Sequence, residues 1–585
     1  MICHPQLKSF LALRHLFLLV LSLGLFFASD LCSAAARSSL KKITVDDNYI
    51  YVNGEQFFVK GICYSPLYPG EHHGRKRTKA NVAEDLKNIK ELGANTIVLY
   101  RREEEKVYRE ARKQGLMILQ GIWMEQDPRD FHDDWFKRSV KRQIRNTINA
   151  IANLQGGDYS DTILAFWVGG ELNPSYVSAT NNRYPDFPVY EGEYYSAPYN
   201  ATAAESFFAE VCDAGRQHAK ETYGYDFLFT HINWPPNEQM LLEFLDIVLF
   251  DIYSYWPQSI AEYRRGSFSP TSYQGYIEHI KSIYPKTPFI ISEFGYSTAP
   301  ANTNEAGNDE TDQAAELTAR WHDIVTASRP IAGGSVFEWN DEWWKQGKGV
   351  DVVRNDYNTH EPEDYEEWFG VIGINGTLRN YTVRPKPGYY SIQRMYSPAF
   401  YEDRRTLAPL RLLNFGKGED KKLQSGSLAV RWQPKEKNDW SRTLNLAHKG
   451  LASGDDRTLP YRLTFKDKRG KDKTLDCFAQ LFLAFELKST SKSANDKLRI
   501  GLESYRSMAP DLAPIGWSRQ LTAYLTSEAS EPDEQGWQRV TIPLDHFGPL
   551  DFSTLKALHF EFGGVANEAT DVAIKNIQWL PNGLR

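Results

Sequence analysis

The stretch "ILAFWVGGELNP", residues 163–174, decides how this chain folds. Six apolar residues run together, two glycines follow, and then comes one carboxylate, Glu171. A strand apolar on both faces belongs in a parallel sheet covered by helices, because a half-solvated strand would alternate. A carboxylate at the end of such a strand is either a solvated turn residue or a working group at the mouth of a barrel. The rest of the chain has to choose.

Seven other runs share this texture. They are "QFFVKGICY" (56–64), "GANTIVLYR" (93–101), "GLMILQGIW" (115–123), "YDFLFTHINWP" (225–235), "LDIVLFDIYSYWP" (245–257), "TPFIISEFGYS" (287–297) and "AGGSVFEWNDEWW" (332–344). Between them lie helical patterns. Val82, Leu86, Ile89 and Leu92 recur at steps of three and four, as do Val140, Ile144, Ile148 and Ile151. Eight buried strands alternating with helices predict a (β/α)8 TIM barrel over residues 40–400. A doubly wound open sheet is the competing fold, but no Gly-rich phosphate loop follows the first strand.

Beyond residue 405 the texture changes to short alternating strands, at 461–465, 478–487, 498–502, 521–525, 536–548 and 571–580. Residues 405–585 are therefore expected to form an all-β sandwich. A Gly- and Lys-rich joint at 417–422 stands near its start.

The 585 residues carry 68 basic and 75 acidic side chains, a formal net charge of −7. No basic block stands out, which excludes an electrostatic nucleic-acid binder. Aromatic residues are abundant, with 15 Trp, 32 Tyr and 31 Phe, a composition that suits sugar stacking as well as a large core. Lys8 and Arg14, the apolar run 16–28 and Ala34-Ala35-Ala36 read as a signal peptide over residues 1–36. The expected location is secreted or periplasmic, with an uncleaved anchor as the alternative. Of the five cysteines, Cys63, Cys212 and Cys477 lie beyond the signal. Their spacing fits no metal motif, and a Cys63–Cys212 bridge and three buried thiols are both compatible with it. The adjacent pair His72-His73 has no third ligand spaced near it, so neither a metal nor another cofactor is expected.

Glu171 ends the fourth strand and Glu293 the seventh. In a ring of eight, those two ends face each other across the mouth. A facing pair of carboxyls is the minimal machinery for breaking a glycosidic bond: one protonates the leaving oxygen and the other attacks the anomeric carbon. "FWVGGE" resembles the acid/base motif of glycoside hydrolase clan A, and "IISEFG" resembles that clan's nucleophile motif. "DIVLFDIYSYW" looks like the sixth-strand segment of family 2, in which a tyrosine hydrogen-bonds the nucleophile; Tyr253 matches it. "EPEDYEEWFGVIG" and "RPKPGYY" resemble the family 2 closing segment, and "FFVKGICYSP" resembles the family 72 β-1,3-glucanosyltransferases. The resemblance covers about residues 45–398.

It implies Glu171 as acid/base, Glu293 as nucleophile, and a retaining β-glycosidase or transglycosidase acting on an oligosaccharide or polysaccharide. Two positions depart from the clan. Gly170 stands where an asparagine normally binds the sugar 2-hydroxyl, and Val98 stands where related enzymes have an arginine. Asn173, and Arg101 or Arg102, are the expected replacements. Tyr64, His231, Trp339 and Trp343 are further substrate-binding candidates, with Trp344, Asp341 and Glu342 beside them. The Tyr-rich segment 174–204 is expected to wall the cleft. "GWQRVTIPLDHF", "LKALHFEFGG" and "DVAIKNIQWL" resemble jelly-roll carbohydrate-binding modules. A catalytically silent glycan-binding protein on the same barrel, and a metal-dependent barrel hydrolase, are the contrasting functions.

Overall fold

A computed structural model describes residues 41–72, 81–124, 130–254, 272–300, 309–345, 359–362, 364–401, 407–412, 429–432, 443–448, 459–466, 469, 471–489, 498–525, 531–562 and 570–581. The expected signal peptide, His73 and the joint at 417–422 lie outside these residues.

Eight parallel strands close into a barrel. They are β1 (Val59–Cys63), β2 (Thr96–Leu99), β3 (Met117–Ile122), β4 (Ile163–Gly170), β5 (Phe229–Asn233), β6 (Val248–Asp251), β7 (Phe289–Gly295) and β8 (Gly333–Phe337). β8 pairs with β1 from Gly333↔Val59 to Val336↔Ile62, which seals the ring. The helices between them include α1 (Val82–Glu91), α2 (Glu105–Gln114), α3 (Asp134–Ala152), α4 (Pro174–Arg183), α5 (Ala203–Tyr223), α6 (Ser272–Ile283) and α7 (Glu310–Thr326), and α8 (Pro387–Tyr396) follows the barrel.

Two layers of core follow from the period-two alternation of the strands. Val59, Cys63, Val98, Leu119, Trp167, Leu249 and Ile290 fill the lumen. Ile62, Ile97, Ile118, Phe166, Phe250 and Ile291 pack outward beneath the helices. A three-stranded antiparallel sheet over residues 43–56 precedes the barrel, and its Ile43, Val45 and Val52 pack against the lumen cluster.

The segment 174–204 is not a cleft wall along its length. Asn173 caps α4, its Oδ1 accepting from Ser175 N–H at 3.0 Å, and Pro174 takes the first helical position. The chain then runs along the outside of the barrel. The Tyr190 hydroxyl donates to Asp213 on α5 at 3.1 Å. The Tyr195 hydroxyl bonds Asp246, which lies just before β6 at the opposite end of the strands from the mouth. Thr202 and Glu205 then form a capping box that starts α5.

The C-terminal part is a sandwich of two antiparallel sheets. β9 (Leu410–Arg411), β10 (Ala429–Trp432), β11 (Leu444–His448), β13 (Phe482–Ser489), β16 (Gln538–Pro543) and β18 (Thr570–Leu580) make the larger sheet. β12 (Leu459–Thr464), β17 (Leu555–Phe562), β14 (Leu498–Ser504) and β15 (Ile515–Gln520) make the smaller one, in that order across the sheet. Leu463, Leu502, Phe560, Ile574 and Trp579 belong to the core between them. The strand expected at 521–525 is instead a 3-10 turn at Leu521–Tyr524, and the neighbouring strand is Ile515–Gln520.

Arg394 of α8 and Asp545 of the sandwich form a buried ion pair at 2.8 Å, and the Ser391 hydroxyl donates to the same carboxylate at 2.5 Å. Among the described residues, no helix is long and apolar enough to cross a membrane. All three described cysteines are free and buried, so Cys63 and Cys212 are not bridged. They lie in different layers, Cys63 in the lumen and Cys212 among the helices.

Candidate active site

β4 ends in a kink. Gly169 has φ +67°, in the left-handed region that glycine enters without steric cost. Glu171 then has φ +43°, which costs a non-glycine residue about 1–2 kcal/mol. The turn is held from β5. Glu171 N–H donates to Ile232 O at 3.2 Å, and the Trp234 indole N–H donates to Leu172 O at 2.9 Å. A strained acidic residue fixed by its neighbours is an observation that invites a functional explanation. Gly170 does not leave open room beside Glu171. A Cβ there would stand 3.3 Å from the Trp167 ring and 3.8 Å from Ile232 Cβ.

Glu293 sits at the end of β7, 7% exposed. Both of its oxygens are held. The Tyr253 hydroxyl donates to Oε2 at 2.6 Å and the Tyr100 hydroxyl to Oε1 at 2.5 Å. Burial pushes the Glu293 carboxyl above the ordinary glutamate range, while the two phenols and Lys345 pull it back down. The net direction is upward, and the three groups that favour the anion only partly offset the cost of burial.

The surroundings are acidic. Asp251 ends β6, two residues before Tyr253. Burial, then the charges of Glu293 and Glu171, push its carboxyl well above the usual range. At the end of β8, burial and then Glu342 push Glu338 up in the same way. Lys345 Nζ donates to Glu338 Oε1 at 2.9 Å and stands 3.4 Å from Glu342 Oε2. Two aromatic rings border this mouth. Trp123 follows β3 and meets Trp167 edge-on at 6.5 Å, and Tyr365 packs against the same lumen cluster from the closing segment.

Several residues expected at the sugar lie elsewhere. Tyr64 turns outward, 1% exposed, and its hydroxyl donates to Asp85 of α1 at 3.0 Å. His231 also faces the helices. Its Nδ1 bonds Val168 O at 2.8 Å, its ring lies 4.3 Å from Phe208, and burial pushes its pKa down to about 4. Trp339 is 2% exposed in the outer core and meets Tyr389 at 6.2 Å. Trp343 is buried and stacks on His360, which stacks in turn on Trp368. Asn173 is exposed and spends its oxygen on the helix cap. Asp341 pairs with buried Lys386 at 2.7 Å. Arg101 remains near the mouth, exposed, with its guanidinium 5.8 Å from the centre of the Trp123 ring.

The residue that takes up the second strand's position is Tyr100, which sequence reasoning passed over in looking for an arginine. The signal was present: alternation from lumen-facing Val98 places Tyr100 on the same face. Alternation along Leu249, Asp251 and Tyr253 would likewise have found Asp251. As for a cation, Glu361, Asp364 and Glu367 bring carboxylate oxygens within 4.8 Å of one another. Glu367 Oε2 accepts from Glu361 N–H at 2.7 Å and Asp364 Oδ1 from Glu366 N–H at 3.1 Å, so these oxygens also shape the turn.

A family model described as the BtgE/BtgC glycoside hydrolase domain matches residues 61–355. No curated protein matches the chain. Among solved structures, similar ones include a GH2 β-galacturonidase from Eisenbergiella tayi bound to galacturonate, 16% identical, TM-score 0.42, covering 61% of this chain and 54% of that one. A β-glucuronidase from Faecalibacterium prausnitzii is 15% identical with TM-score 0.42, covering 61% and 51%. One from Ruminococcus gnavus in complex with C6-substituted uronic isofagomine is 14% identical with TM-score 0.43, covering 61% and 53%. The chain spans about half the length of these proteins.

Proposed function

The chain belongs to the BtgE/BtgC glycoside hydrolase family, and from that premise we propose that it cleaves a β-linked glucan or related glycan with retention of configuration. Glu171 protonates the leaving glycosidic oxygen while a Glu293 oxygen attacks the anomeric carbon. The aglycone departs and a glycosyl ester of Glu293 remains. Glu171, now a carboxylate, takes the proton from water or from a sugar hydroxyl, which attacks the same carbon and frees Glu293. Water gives hydrolysis and a sugar gives transglycosylation.

The observation that carries this reading is the grip on Glu293. Two phenol donors, at 2.5 and 2.6 Å, favour the anion and fix its rotamer in a buried place. A nucleophile needs both conditions, whereas a solvated rim charge needs neither. Residues 1–36 are read as an export signal, and the product as secreted or periplasmic.

The test is a screen across β-1,3-, β-1,4- and β-1,6-linked oligosaccharides, with Glu293→Gln as control and proton NMR of the first-formed anomer. Retention is expected, with loss of turnover in the variant. A product of inverted configuration, or full activity in Glu293→Gln, would sink the mechanism. Binding of a glycan with no turnover on any linkage would favour the silent scaffold.

A further inference from the structure

The residues after β8 hold more charge than a structural ion pair requires. Glu338 and Glu342 are each 1% exposed, and a single ammonium, that of Lys345, lies between them at 2.9 and 3.4 Å. One carboxylate would have balanced the charge of the lysine. A second buried carboxylate is costly unless its charge serves some purpose. Among the described residues neither oxygen of Glu342 accepts a hydrogen bond, so the hydrogen bonds described there do not account for its burial.

The ammonium is placed by more than charge. It lies 3.9 Å from the centre of the Phe337 ring. Phe337 meets Tyr253 edge-on at 6.2 Å, and Tyr253 donates to Glu293. The lysine is thus joined to the nucleophile through two packed rings, Phe337 and Tyr253, and one hydrogen bond. A cation over an aromatic face gains in a desolvated setting, which fixes its position without quenching its charge.

We infer that Lys345 is a positioning residue of the reaction: gripped by Glu338 and Glu342 over Phe337, it supplies the positive charge against which Glu293 works as a nucleophile. This rests on the assignment of Glu293 made above. The groups facing Glu293 are Tyr100 just after β2, Cys63 from β1, Asp251 at the end of β6 and Tyr253 just after it, Glu342 and Lys345 beyond β8, and Glu366 from the closing segment. Those facing Lys345 are Glu338, Glu342 and Glu366. Among the groups on these two lists Lys345 is the one cation, so removing it leaves like charges to oppose ionisation of Glu293.

The test does not need a substrate. In full-length protein with 13C at the glutamate side-chain carboxyl, the Glu293 signal is assigned by its loss in Glu293→Gln and titrated. Lys345→Met should raise its midpoint by about one pH unit or more. Glu342→Gln, nearly isosteric and removing a negative charge, should lower it. If Lys345→Met does not fold, Lys345→Gln, which removes the charge and keeps a polar end beside Glu338 and Glu342, should raise the midpoint in its place. An unmoved Glu293 midpoint in folded variants overturns the inference. Shifted midpoints in a protein that neither hydrolyses nor transfers any glycan would overturn the proposed function, and with it Lys345's part in a reaction, leaving only its effect on the charge of Glu293.

Discussion

Gly170 shows how much one missing side chain can mean. Its Cβ position faces the Trp167 ring at 3.3 Å, tighter than ordinary contact, so a larger residue must push the indole or itself aside. Gly170→Asn is expected to cost about 1–3 kcal/mol of stability, as overpacking does, and to lower kcat/KM. A gain of activity on simple β-glucosides would refute this. Tyr100 makes the complementary case. Losing a hydrogen bond to a charged group costs about 1.5–3 kcal/mol, so Tyr100→Phe should lower kcat/KM by about 10- to 100-fold. Unchanged kinetics would mean that Tyr253 alone suffices to hold Glu293.

The elements carry their own consequences for pH. His231 lies between β5 and the helix layer, and its folded pKa is pushed down to about 4 by burial, against an unfolded value of about 6.5. The unfolded chain binds this proton first. The stabilising contribution is therefore complete above about pH 6.5 and is lost as pH falls toward 4, amounting to about 3 kcal/mol. Chemical denaturation across that range should show a shallower decline for His231→Gln than for the parent. Equal slopes would place the acid sensitivity elsewhere.

At the scale of the whole molecule, the Arg394–Asp545 pair fastens the sandwich to the barrel's last helix. Both side chains are buried, at 6% and 3% exposure. Asp545→Ala would leave a guanidinium in the interface without its counter-charge, and losing one partner of a buried pair costs about 3–5 kcal/mol. Thermal unfolding should shift downward, and limited proteolysis should release the sandwich earlier. An unaltered melting curve would show that the pair contributes little to docking.

Sequence alone determined the eight-strand alternation, the order of the barrel and the placement of Glu171 and Glu293 at the ends of their strands. Each is a local matter: apolar runs, periodicities and the residue that follows them. It also determined that β-rich sequence follows the barrel. Only the tertiary structure decided which side chains reach the mouth. Tyr64 and His231 lie one step from lumen positions, and a shift of one residue along a strand turns a side chain from lumen to helix layer. Trp339 and Trp343 follow β8 closely enough to suggest a sugar platform, yet both are buried in packing. Tyr100 and Lys345 are named by neither composition nor motif. Their partners lie on strands and turns far away in the chain, and that distance closes only when the barrel does.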